Sequence, residues 1–277
     1  LKDKSMHASK ESGDTPKPSP KNPPPSVFER EAKRLVEEAE VERMLLRVMG
    51  ALAIRMHSPE FADLHRGLKR LGESEFPDID LMSIRECRKR LPGFFQARGY
   101  TYDKALMAIY GSKRHIYYGT EIPVVDVFFD QLAMCHVIDL RGRIRIDFPT
   151  VSLADLLLGK MQIVKLNLKD IKDTVVLLRA HDVGGSDDET INCRYIAELL
   201  SQDWGFYHTV TTNLKRIRDD FLSTLEVLDQ EDIADVRGKV NEILEAIERE
   251  DKSLKWRMRA KIGTRKKWYQ EVEEVIR

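Results

Sequence analysis

An α+β fold, a mixed α/β half followed by an all-helical half with the boundary near Thr150, is the class this sequence predicts. Three observations carry it. Asp78-Ile79-Asp80-Leu81-Met82 alternates polar and apolar residues as a strand does, and a helical pattern follows over 84–97, closed by Gly99. Apolar segments around 106–110, 115–118 and 123–129, separated by Gly111-Ser112 and Gly119-Thr120, read as consecutive antiparallel strands. From Ser152 onward the apolar residues recur chiefly at helical spacing.

In chain order, residues 1–25 are Lys, Ser and Pro with almost no apolar content, which predicts a disordered tail. Phe28, Leu35, Val36, Met44, Leu45 and Val48 predict a helix from about 27 to 47, leading up to Gly50. Ser152, with Asp155 three residues on, is an N-cap for the apolar run of Leu156, Leu157, Met161, Ile163 and Val164. Ile171, Val175 and Leu178 share a face of the next helix, and 191–200, 210–228 and 236–247 are amphipathic. The expected division is a tail over 1–25, a mixed α/β domain over 26–150 and a helical domain over 151–277.

The chain has 277 residues, 42% hydrophobic and 33% charged, enough to bury a real core. Its formal net charge is zero, so no global field steers it toward nucleic acid, and any basic surface is local. The apolar runs fall far short of a membrane span. Cys87, Cys135 and Cys193 form neither a disulfide framework nor a zinc spacing. With polar residues at the N-terminus and no apolar secretory stretch, the expectation is a cytoplasmic protein.

Candidate chemistry centres on acids. Asp78 and Asp80 lie two apart on a strand, so both project from one face, an arrangement that a cation stabilises. Asp126 interrupts the apolar run of Val124-Val125-Asp126-Val127-Phe128-Phe129, where a carboxylate needs a partner. If the two strands are neighbours, Asp126 completes a three-carboxylate cage for Mg²⁺ and a triphosphate.

Gly50-Ala51 before a short helix, then Asp78-Ile79-Asp80 and a later lone Asp126, resembles the DNA polymerase beta-type nucleotidyltransferase superfamily. The run from Tyr118 through Val125-Asp-Val-Phe-Phe-Asp130, Met134-Cys-His136, Leu140-Arg141 and Asp155-Leu-Leu-Leu-Gly-Lys160-Met-Gln162, with Lys169-Asp170 and Asp173 after it, is similar to prokaryotic predicted nucleotidyltransferases of minimal, toxin and abortive-infection type. The resemblance spans about 45–180. It implies a nucleotidyltransferase-fold mixed sheet with flanking helices, and transfer of an NMP from an NTP, ATP among them, to a hydroxyl of a tRNA, a protein or a small molecule. It also implies Mg²⁺ or Mn²⁺ at Asp78, Asp80 and Asp126, acceptor activation by Asp126, and a phosphate-approaching turn at Gly50 and Ala51. The stretch before Asp78 then holds an inserted segment, about 58–75, that must loop out as a lid or as surface.

The resemblance also makes Lys160, in the helical half, the candidate for the triphosphate, with Asp170 and Asp173 orienting it or capping a helix. Lys252, Lys255, Arg257, Arg259, Lys261, Arg265, Lys266 and Lys267, interleaved with Trp256, suit either an RNA backbone or a solvated helix face. His136 beside Cys135 makes no zinc site, and Trp204–His208 reads as a loop-to-helix junction. Two alternatives stand beside the enzyme: a degenerate nucleotide-binding or interaction protein, suggested by Ala51, and a toxin or abortive-infection effector with the same chemistry.

Overall fold

The computed structural model describes residues 23–72 and 75–272, so the tail expected over 1–25 lies outside them as far as residue 22. Pro25 opens α1 (Pro25–Val41), where a missing N–H costs nothing. Phe28, Ala32, Leu35, Val36 and Ala39 bury one stripe of it. The helix expected on to residue 47 ends at Val41. Arg43 turns the chain at φ 55°, and Leu46–Met49 forms strand β1, buried along its whole length. A short run buried on both faces has no alternation, so its spacing does not separate strand from helix.

α2 (Gly50–His57) leaves β1 directly. The segment expected to loop out instead folds into a 3₁₀ turn at Pro59–Phe61 and helix α3 (Ala62–Gly67), and His65 and Arg70 reach across to the buried Asp173. β2 (Ile79–Ser83) follows Asp78. The helix expected over 84–97 is split into a turn at Arg85–Cys87 and α4 (Leu91–Gln96), because Pro92 belongs in a first helical turn and not in an interior. The first of the three expected antiparallel strands is helix α5 (Lys104–Tyr110). The Asp103 carboxylate accepts from the Ala105 and Leu106 amides and caps it, a signal that outweighs the apolar content.

β3 (Arg114–Tyr118) and β4 (Val124–Phe129) do pair antiparallel, and a small hairpin, β5 (Gln131–Ala133) with β6 (Val137–Asp139), follows them. The main sheet has the order β1-β2-β4-β3, with β2 and β4 parallel and the outer pairs antiparallel, a mixed sheet as expected. Ile79, Leu81, Val125 and Val127 are buried on its far face.

The rest is helical apart from a two-residue parallel ladder. α6 (Leu153–Met161), α7 (Leu168–Ala180), β7 (Val183–Gly184), β8 (Ile191–Asn192), α8 (Cys193–Leu200), α9 (Trp204–Arg216), α10 (Gln230–Arg249) and α11 (Leu254–Ile262) run in order. Their helices are capped in turn by Ser152, Asn167, Asn192, Asp203, Asp229 and Ser253, each accepting a main-chain N–H. Among the described residues no helix is long and apolar enough to cross a membrane.

Candidate metal centre

The register of β2 against β4 sets Asp80 directly beside Asp126, and Asp78, two residues before Asp80, shares their face. One oxygen from each of Asp78, Asp80 and Asp126 lies within 4.8 Å of the others. Three carboxylates this close repel one another. Burial, then the neighbouring Asp78 and Asp126, push Asp80 up to about 7, against the pull of Lys160 and Arg114. An all-oxygen set with surplus negative charge fits a hard divalent cation such as Mg²⁺ or Mn²⁺.

Gly50 makes this convergence possible. At φ 71° it turns β1 into α2, and a Cβ there would sit 2.8 Å from Asp80 Oδ2. Arg114, opening β3, lies diagonal to Asp126 and grips it with Nε at 3.1 Å from Oδ1 and Nη2 on Oδ2. It is a two-pronged ion pair on a fully buried carboxylate.

A cavity of about 470 Å³ opens from Gly50 and Asp80. Its polar wall carries Lys160 and Asp170, its apolar wall Phe128, Leu132, Ile138 and Leu156, and residues 269–272 close one side. Lys160 Nζ lies 2.7 Å from Asp173 and 3.3 Å from Asp170. Burial alone would lower the ammonium, but Asp173 and Asp170 outweigh it and raise it. Asp173 also receives Arg70 Nε at 2.8 Å and His65 Nε2 at 3.0 Å. Because Arg55 Nε donates to His65 Nδ1, the ring proton sits on Nε2 and is donated to Asp173. Burial would raise the Asp173 carboxyl, yet Lys160, His65 and Arg70 hold it far below the usual range.

Of the residues expected at the site, Asp78, Asp80 and Asp126 converge, and Gly50 and Lys160 line the same cavity as Asp80. Ala51 is buried in the core and is not among the residues lining that cavity. The basic segment runs from just before α11 to the residues that close the cavity. Lys252 donates to the carbonyls of Ile247 and Glu250, Arg257 to Lys252, Arg259 to Gly263 and Lys266, and Arg265 to Lys261, while Lys267 pairs with Glu271. His136 is stacked on Phe206 and bonded to Thr209 Oγ1 at 2.9 Å, and burial pushes it down to about 4. Trp204 and His208 stack in the first turns of α9.

Sequence reasoning passed over Arg114, His65 and Arg70. Only Arg114 left a signal: alternation along β3 puts it on the same face as Ile116, the register partner of Asp126. His65 and Arg70 reach Asp173 from about a hundred residues away, which no local pattern reveals.

No family model matches this sequence, and no curated protein does. Among solved structures the chain is similar to the antibiotic-resistance factor ANT(2'')-Ia, whose solution structure it matches at a TM-score of 0.36 and 14% identity, over 64% of this chain and 94% of that one. That likeness is too slight to carry an argument.

Proposed function

We propose that the protein is a metal-dependent nucleotidyltransferase that moves an NMP from an NTP to a hydroxyl acceptor. The observation carrying this reading is the meeting of Asp78, Asp80 and Asp126 beside a ligand-sized cavity that Asp80, Gly50 and Lys160 line. Mg²⁺ or Mn²⁺ held by these acids would neutralise triphosphate charge and acidify the acceptor hydroxyl. Gly50 supplies bare backbone at the start of α2, where anions are favoured, and Lys160 supplies a fixed ammonium for the phosphates. Asp126, paired with Arg114, takes the acceptor proton. The acceptor oxygen then bonds to the α-phosphorus as the bond to the β-phosphate breaks, and pyrophosphate leaves.

One observation favours a nucleotide-binding protein without turnover: the Arg114 guanidinium already neutralises Asp126. The two readings separate on pyrophosphate release from each of the four NTPs with Mg²⁺, offered pooled tRNA, the protein itself or an aminoglycoside as acceptor. Release by the wild type that Asp126→Asn abolishes supports the transferase. Saturable NTP binding with no release under any pairing supports the second reading.

A further inference from the structure

α11 turns its aliphatic side chains outward. Trp256 faces in, its ring 5.0 Å from Tyr207, and Arg259 lies over Trp204 at 4.8 Å. Leu254, Met258 and Ile262 are 74%, 60% and 42% exposed. Spaced four residues apart, they form one stripe along the helix, with Lys255 on one side of it and Arg257 and Lys261 on the other. Met258 and Ile262 also line a second cavity, of about 710 Å³, together with Val137 of β6, itself 41% exposed. One cavity thus joins the stripe on α11 to the β5–β6 hairpin, its wall also carrying Lys255, Arg259 and Trp268. Residues 252–267 contain no acid at all.

Contiguous exposed apolar surface rimmed by charge marks an interaction site. We propose that this face docks an acidic amphipathic helix of a partner protein, its apolar stripe laid on Leu254, Met258 and Ile262 and its flanking carboxylates facing Lys255, Arg257 and Lys261. Charge complementarity selects an acidic partner. The state of the basic groups selects protein over RNA. Phosphate recognition uses hydrogen-bond donors directly, yet Lys252, Arg257, Arg259 and Arg265 already donate to main-chain carbonyls of their own segment, and Lys267 to Glu271. A helix partner needs only their charge, and the outward stripe of Leu254, Met258 and Ile262 is aliphatic and offers bases no ring to stack on, the aromatic rings lying in the cavity beside it. Methionine at the centre of the stripe suits such a contact because its flexible thioether adapts to the opposing side chains.

The test is fluorescence anisotropy of the whole chain with three labelled probes. They are a peptide of about five helical turns with a leucine stripe flanked by glutamate, a scrambled peptide of the same composition, and a single-stranded RNA of about 20 nucleotides. The patterned peptide should bind at least about tenfold more tightly than the scrambled one, and Met258→Glu should weaken it by a similar factor. Leu254→Glu, at a still more exposed position, should do the same. Circular dichroism checks that both variants fold. RNA binding tighter than the patterned peptide, peptide binding indifferent to both substitutions, or self-association of the protein through a Met258-dependent contact would each overturn the proposal.

Discussion

Asp80 and Asp126 are register partners on the parallel strands β2 and β4, so two carboxylates stand side by side on one face of the sheet. On the proposed reading the pairing serves a cation and costs the metal-free fold stability. Asp80→Asn removes one of the like charges, and the metal-free protein should gain about 1–2 kcal/mol. The proposed site predicts that Mg²⁺ raises the melting temperature of the wild type and that this variant loses the rise. Thermal scans with and without Mg²⁺ read both effects, and an Asn variant no more stable than wild type in chelator would count against repulsion at the site.

Arg114 is the counter-charge that permits a buried Asp126. Arg114→Gln takes away a two-pronged guanidinium from a carboxylate with no exposure and should cost about 3 kcal/mol in metal-free buffer. Saturating Mg²⁺ should recover part of that loss, since the cation takes over the neutralisation. Urea titrations of both proteins, with and without metal, measure the difference.

The Lys160 ammonium is held by Asp173, which His65 and Arg70 fix in turn. His65→Leu deletes one donor to Asp173, with an expected cost of about 1–3 kcal/mol. It should raise the KM for the NTP several-fold with a smaller change in kcat, because Lys160 then meets the phosphates less well ordered. Steady-state kinetics at fixed acceptor show the split.

Burial pushes His115, His136 and His181 down to about 4, so all three are neutral in the fold at pH 7. In the unfolded chain they take up protons near pH 6.5. Between those values the unfolded state binds more protons than the native one, and stability must fall as pH falls. Asp80, raised to about 7, works the other way, but with one proton against three, so denaturation midpoints in metal-free buffer should still decline from about 6.5 toward 4.

How much of this was legible in sequence depends on how local each cause is. β2 is visible because Ile79, Asp80 and Leu81 alternate between a buried far face and the site, and α6 is visible because Ser152 and Asp155 spell out its cap. β1 is hidden, since Met44 to Met49 are buried on both faces and carry no period. α5 reads as a strand because its apolar residues are clustered rather than spaced, and only the Asp103 cap reveals it. The acids of the site were legible from their alternation and from one polar residue in an apolar run. Their meeting depends on the parallel pairing of β2 with β4, and the grip on Asp173 on contacts between distant segments. Neither is written in any short stretch of chain.

The most direct test of the central claim is calorimetric titration of each of the four NTPs, with and without Mg²⁺, into wild type and into an Asp78→Asn/Asp80→Asn double variant. The account predicts saturable, Mg²⁺-dependent binding by the wild type that disappears in a folded double variant. Binding that is unchanged in the variant, or absent from a folded wild type, would contradict a metal and nucleotide site at these carboxylates.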